Sequence, residues 1–238
     1  MQIKSLSIFF PCYNDKGVVK KLIDDSLATV KELGITDYEI IYIDDGSTDG
    51  SRELLTSLDG VVQNLKVILH EKNRGYGGVL KTGFANATKE WVFYTDGDAQ
   101  YDVRELALLV NALEEGVDWV SGYKIKRHDK PYRIIIGKMY QWFNKLLFLL
   151  EVRDVECNFR LMKKSKIDEL KLKCNNGTAC LELAKKLQNA GAVLREVPVH
   201  HYNRIYGESH AFTVRRIADM IVTLIILWWP LVVLRKTN

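Results

Sequence analysis

The chain lacks most signatures by which a function class declares itself. Its four cysteines, Cys12, Cys157, Cys174 and Cys180, form no CxxC pair. Free thiols in a reducing compartment are therefore expected, not a disulfide framework. The five histidines show no HExxH or similar metal spacing, and His200-His201 read as ordinary strand or loop residues. Neither GxxxxGK[ST] nor GxGxxG occurs, so a P-loop and a dinucleotide fingerprint are both unsupported. No internal repeat, low-complexity linker or secretory leader is read, which makes the cytoplasm the expected location.

What is present is a globular composition with an uneven charge. Of 238 residues, 47% are hydrophobic and 27% charged, enough for one packed domain with an appendage. The net charge of +4 hides two halves. Residues 1–121 hold 12 basic and 20 acidic side chains, and residues 122–238 hold 22 and 10. The front suits a metal and a nucleotide. The rear suits an anionic partner, such as a phosphate-bearing acceptor or an anionic membrane surface; a nucleic acid is not expected.

Through residue 123, strand and helix signals alternate. Strands are predicted at Leu6–Phe10, Tyr38–Ile43, Leu65–Leu69, Trp91–Thr95 and Val117–Tyr123. Helices are predicted at Val18–Leu33, at 50–58 with Ser47 or Asp49 as N-cap, at 77–88 and at Val103–Glu115. This predicts an α/β fold with a mostly parallel sheet covered on both faces, and ligands at the carboxyl ends of its strands. Further on, Tyr132–Leu150 and 179–190 read as helices and Ala192–Val199 as a strand. Ile217–Leu234 is almost wholly apolar.

Two carboxylate clusters follow predicted strands. Pro11-Cys12-Tyr13-Asn14 and Asp44-Asp45-Gly46-Ser47 would line one pocket, where a carboxylate can accept bonds from a base N–H or ribose hydroxyls. Gly46 permits the sharp exit, although a plain strand-end turn before a capped helix also satisfies this stretch. Asp96-Gly97-Asp98 can aim two carboxylates at one point, and Gln100 can add a neutral oxygen. Such hard donors suit Mg²⁺ or Mn²⁺. An EF-hand reading fails for want of its closing Glu; a purely structural turn stays open. Between the clusters lies Asn73-Arg74-Gly75-Tyr76-Gly77-Gly78, whose glycines could let backbone N–H groups approach an anion at a helix N-terminus.

PCYN, DDGSTDGS, NRGYGG and DGDAQYD, in this order, resemble family 2 glycosyltransferases of the GT-A fold. Val152-Arg153-Asp154, Cys157-Asn158-Phe159-Arg160, Glu182, Glu196-Val197-Pro198-Val199, Arg204 and Gly207-Glu208-Ser209 resemble dolichyl-phosphate mannose synthase and related polyprenyl-phosphate glycosyltransferases. Two departures stand out: Asp96-Gly97-Asp98 where Asp-Ala-Asp is frequent, and Asn158 where a glycine often precedes the Phe. The resemblance covers roughly residues 5–212 and implies a GT-A domain over 1–212; the apolar run after it is read as a hydrophobic, membrane-associating segment over 213–238. It implies nucleotide-sugar contacts by Pro11, Tyr13, Asn14, Asp44, Asp45, Gly46, Arg74, Gly75, Asp96 and Gly97. Asp96, Asp98 and Gln100 would hold Mg²⁺ or Mn²⁺, with Asp98, Arg133 and Arg204 catalytic.

The acceptor implied is a polyprenyl or dolichyl phosphate, which is already an anion and needs cations to position it. Arg127, Arg133 and Ser209 are the expected contacts to its phosphate. Arg160 is expected either near the site or paired with Asp154 to hold the fold. A saccharide acceptor would instead need a base, for which Asp154 or Asp129 is available. A non-catalytic nucleotide-sugar binding module is the other alternative. Ile217–Leu234 reads as a helix lying shallowly in a membrane surface, with a span, a core helix or a homodimer contact as alternatives.

Overall fold

The computed structural model describes residues 3–126, 131–207 and 214–237; the side chains of residues 126, 131–136, 138, 140 and 214–217 lie outside that description. β-branched and aromatic runs form the strands expected of them. In chain order the elements are β1 (Ser5–Cys12), α1 (Lys16–Glu32), β2 (Asp37–Asp44), α2 (Ser51–Leu58), β3 (Leu65–Leu69), α3 (Tyr76–Asn86) and β4 (Trp91–Thr95). A 3₁₀ turn at Val103–Glu105 then leads into α4 (Leu106–Asn111). The rear half contributes β5 (Trp119–Lys126), α5 (Pro131–Phe148), β6 (Phe159–Lys163), α6 (Lys164–Asp168), α7 (Ala179–Asn189), β7 (Leu194–His200) and α8 (Val214–Trp228). A π-helical turn, Trp229–Val233, continues α8.

The seven strands form one sheet in the order β3-β2-β1-β4-β6-β5-β7. β6 runs antiparallel to both its neighbours, β4 and β5, and the other pairings are parallel. Alternation along each strand divides the core between two faces. Ile8, Phe10, Ile40 and Tyr42 pack with α1, α2 and α4. Phe9, Ile41, Ile43 and Tyr94 pack with α3 and α7, and Leu224, Leu227 and Leu231 of the C-terminal segment join that cluster. The mixed, mostly parallel GT-A-type sheet with both faces covered is thus as the sequence predicts.

Three local differences have physical reasons. β6 was hidden because FRLMK is short and carries two cations, yet it is almost wholly buried. The helix predicted over Val103–Glu115 stops at Asn111, and Asp102 starts its 3₁₀ turn by accepting the Arg104 N–H at 3.0 Å. The cap of α2 is Gly50 at φ 88°, not Ser47 or Asp49. Asp49 still accepts the Ser51 N–H at 2.9 Å, and Ser47 Oγ accepts the Asn14 N–H at 2.9 Å.

Arg160 does not pair with Asp154. Its fully buried guanidinium donates to the carbonyls of Val155 (2.6 Å), Cys157 (3.1 Å) and Cys180 (3.2 Å). Asp154 accepts the N–H groups of Lys124 and Glu156 and lies 3.8 Å from Lys124 Nζ. Among the described residues, no helix is long and apolar enough to cross a membrane, which removes the spanning alternative there.

Glu182 supports the segment before α7. Its carboxylate accepts the N–H groups of Lys173 and Cys174 at 2.9–3.0 Å and pairs with Lys186 at 3.0 Å. Burial works to raise its pKa, but the Cys174 N–H, Lys186 and the Lys173 N–H outweigh it, and the net shift is downward from 4.5. A depressed acid contributes stability above its unfolded pKa and loses it as pH falls through the folded value. Glu182→Gln should therefore lower stability at neutral pH and flatten its fall below about pH 4.5, as read by urea unfolding across pH. A parallel acid limb in both proteins would contradict this role.

Candidate active site

The loops after β1, β2, β3 and β4 all emerge on one edge of the sheet, because these strands are parallel. β6 brings a fifth segment there by running the other way. Phe159 pairs with Thr95, so Asn158, just before β6, stands beside Asp96, just after β4. The loop after β7 returns across the same edge. Tyr202 donates its N–H to the Gln100 carbonyl at 2.8 Å, and Gln100 Nε2 donates to the Tyr202 carbonyl at 3.0 Å.

The first cluster is committed to its own backbone. Asp44 is fully buried and accepts the N–H groups of Gly46 and Ser47 at 3.1–3.3 Å. Asp45 accepts the Arg74 N–H at 2.8 Å, the Gly75 N–H at 3.0 Å and His70 Nδ1 at 2.7 Å. The anion at the α3 N-terminus is therefore the Asp45 side chain. The glycines of that turn answer a packing need. Gly75, at φ 78°, has the Asn175 carbonyl 2.4 Å from where a Cβ would sit, and Gly77 has the Cys174 carbonyl at 2.3 Å. Asn14 closes the neighbouring loop by accepting the Thr48 N–H at 2.7 Å, and Tyr13 beside it is exposed.

The second cluster divides its carboxylates between two settings. Asp96 accepts the Tyr76 hydroxyl at 2.6 Å and Asn158 Nδ2 at 3.2–3.3 Å. Burial, then the Asp98 charge, push its pKa up to about 6. Asp98 is buried and meets Arg204 Nη2 at 2.5 Å; burial raises its pKa and Arg204 opposes that. Arg204 Nη1 reaches Asp15 at 3.2 Å. Burial pushes the Asp15 pKa up to about 7, with the Tyr13 N–H and Arg204 opposing. Arg204 thus bridges Asp15 and Asp98, while Asp96 is held by the neutral donors Tyr76 and Asn158, and the site favours further positive charge.

The structure therefore brings Asp96, Asp98, Gln100 and Arg204 together with the loops carrying Pro11, Tyr13, Asn14, Asp44, Asp45 and Gly46. Arg127, Ser209 and Asp129 lie outside the described residues, as does the side chain of Arg133 in the first turn of α5. Asp154, the other candidate base, is buried and hydrogen-bonded. Sequence reasoning missed Asp15, Tyr76 and Tyr202. Asp15 directly follows the PCYN run, which was the available signal. Asn158 was visible only as a departure from a motif.

Among the described residues, no three His, Cys, Asp or Glu side chains converge as a closed metal cage. Two carboxylates with a nearby amide still fit a divalent ion that keeps positions for phosphate and water. The need for cations at Asp96, Asp98 and Asp15 is the structural basis for that fit.

An open α/β sheet with paired carboxylates at the ends of β2 and β4 has the architecture of a GT-A glycosyltransferase. The model of glycosyl transferase family 2 matches residues 7–171, and the chain belongs to that family. Among solved structures it is similar to glucosyl-3-phosphoglycerate synthase from Mycobacterium tuberculosis. The complex of that enzyme with Mn²⁺, UDP and glucosyl-3-phosphoglycerate has a TM-score of 0.70 at 16% identity, over 96% of this chain and 80% of that one. Its complex with phosphoglyceric acid gives 0.72 at 15%, over 96% and 80%. Its complex with Mg²⁺ and UDP gives 0.70 at 14%, over 96% and 79%.

Gly97 explains one departure from the family pattern. A Cβ there would lie 2.0 Å from the Pro11 carbonyl oxygen, and backbone cannot swing aside. Gly97→Ala should cost about 1–3 kcal/mol and weaken nucleoside diphosphate binding by shifting Pro11 against Asp96. Urea unfolding and calorimetric titration with UDP and GDP check this. Unchanged stability and affinity would show that the two loops move independently.

Proposed function

We propose that this glycosyltransferase moves a hexosyl group from a nucleoside-diphosphate sugar, UDP- or GDP-linked, to a polyprenyl or dolichyl phosphate. The observation that carries the donor half is the Asp96–Asp98 pair, whose crowded charge is met by Arg204 from the loop after β7. Bound by Asp96 and Asp98, Mg²⁺ or Mn²⁺ would stabilise charge on the departing diphosphate. Gln100 holds the Arg204 loop through Tyr202 and is the third proposed donor. Asp44 and Asp45 shape the loop against which Pro11, Tyr13, Asn14, Gly46, Arg74, Gly75 and Gly97 receive the nucleotide.

In the reaction, an acceptor phosphate oxygen attacks the anomeric carbon while the bond from that carbon to the β-phosphate oxygen breaks. The electron pair leaves with the nucleoside diphosphate. No general base is required, because the attacking oxygen is already anionic. This agrees with Asp154 being buried and engaged. Arg127, Arg133 and Ser209 are the proposed contacts to the acceptor phosphate, Arg204 answers charge on the diphosphate, and the resemblance implies inversion. The excess of basic residues in the rear half supports a phosphate-bearing acceptor, and the apolar C-terminal segment supports a lipid one at the cytoplasmic face of a membrane. A second reading, transfer to a small phosphorylated acid, is favoured by the phosphoglyceric acid held in the similar solved structures.

A panel of UDP- and GDP-sugars, offered with a short-chain polyprenyl phosphate or with 3-phosphoglycerate, separates the readings. Sugar should appear on the polyprenyl phosphate, and Arg133→Ala should raise the KM for that acceptor more than for the donor. Transfer only to phosphoglycerate would overturn the lipid reading in favour of the second. Asp98→Ala should lower turnover by at least about a hundred-fold, and EDTA should do the same to the unaltered enzyme until Mn²⁺ or Mg²⁺ is restored. Full activity in chelator would remove the metal.

A further inference from the structure

Helices α5 and α8 each carry two apolar stripes, and only one is needed for folding. On α8 and its π-helical turn, Leu224, Leu227 and Leu231 are buried. Ile221, Val222, Ile225 (70% exposed), Ile226, Trp229 and Val233 face outward. On α5, Phe148 is buried, while Met139, Trp142 (69% exposed), Phe143 and Leu146 face outward, followed by Leu149. The spacings 139, 142, 143, 146 and 221, 222, 225, 226, 229 each follow one side of a helix. The two elements are joined: Trp228 Nε1 donates to the Leu147 carbonyl at 3.0 Å, and Phe148, Leu224, Leu227 and Leu231 share one core cluster.

A face of this size on a folded domain marks an interaction surface, and its charge identifies the occupant. Residues 131–150 contain Arg133, Lys138 and Lys145 and no Asp or Glu. Residues 214–238 contain Arg215, Arg216, Arg235 and Lys236 against the single acid Asp219, whose carboxylate accepts Asn176 Nδ2 at 2.6 Å. An apolar strip with large aromatics, bounded in sequence by cations and almost free of acids, complements an anionic lipid leaflet. A second copy would set the same cations against one another.

We propose that α5 and α8 together form one membrane-inserting platform that seats the protein in the plane of an anionic bilayer. Membrane attachment therefore does not belong to the C-terminal segment alone. The proposal deepens the lipid-acceptor reading, on which its purpose rests. α5 begins five residues after the carboxyl end of β5, so the helix that inserts is also the one whose first turn carries Arg133.

The test is co-sedimentation with vesicles of phosphatidylcholine, with and without phosphatidylglycerol. Binding should require the anionic lipid. The triple variant W142S/F143S/L146S on α5 and the double variant I225S/I226S on α8 should each lower the apparent vesicle affinity by roughly a hundred-fold or more. Both should keep the wild-type affinity for nucleoside diphosphate, which also shows that they are folded. In the unaltered protein, lipids with brominated chains should quench tryptophan fluorescence, and the quenching should shrink in Trp142→Phe. Loss of binding in the α8 variant alone, with Trp142 unquenched, would overturn the two-helix platform and leave only a C-terminal anchor. A dimer in sedimentation velocity that both variants dissociate, without vesicle binding, would assign the face to a second copy. Vesicle binding as described, with no transfer to polyprenyl phosphate, would leave the platform standing and overturn the acceptor reading instead.

Discussion

The carboxylate of Asp45 joins the loops that make the site. It accepts two backbone N–H groups at the start of α3 and the His70 ring at the end of β3. His70 in turn reaches Thr82 inside α3 at 2.9 Å. A buried carboxylate left without donors is costly, and a hydrogen bond to a charged group contributes about 1.5–3 kcal/mol. The exit of β2, the exit of β3 and the first turn of α3 are therefore fixed relative to one another. The glycines of that turn let the Cys174–Asn175 segment press against it, and Glu182 holds the same segment from behind. Support thus passes from α7 to the nucleotide-side loops with no side chain from the reacting centre.

At the end of β4 the arrangement is opposite in kind, because negative charge is collected faster than it is answered. Asp15 from the loop after β1 is brought beside Asp96 and Asp98 from the loop after β4, and Arg204 touches only Asp15 and Asp98. Tyr76 and Asn158 supply Asp96 with neutral donors. This orients the carboxylate without neutralising it, whereas Asp98 is the one paired with a cation, Arg204. Such a site suits a polyanionic substrate that arrives with its own divalent ion.

The rear half solves a different problem. Burying α5 and α8 completely would require another layer of protein, which the described residues do not provide. Each exposed large apolar side chain forgoes about 1.5–3 kcal/mol of burial. On the proposed platform that cost would be offset by lipid in place of the missing layer.

Local pattern determined the alternation of strands and helices, the mostly parallel sheet and the placing of both carboxylate clusters at strand ends. Hydrophobic periodicity and turn residues act over a few residues, so they can be read in order. What the sequence left undecided depends on contacts between distant segments. FRLMK became a central strand because the chain crossed back beside β4, and that crossing put Asn158 on Asp96. Asp45 faces the backbone because β3 and α3 offered it donors from about thirty residues away. Arg160 found carbonyls and not Asp154, because three carbonyls were already turned toward it. Charge and apolarity along the chain pointed to an anionic partner and a surface-seeking C-terminus. Only tertiary packing could show that α5 exposes an apolar face of its own, since a residue's exposure is decided by what packs against it.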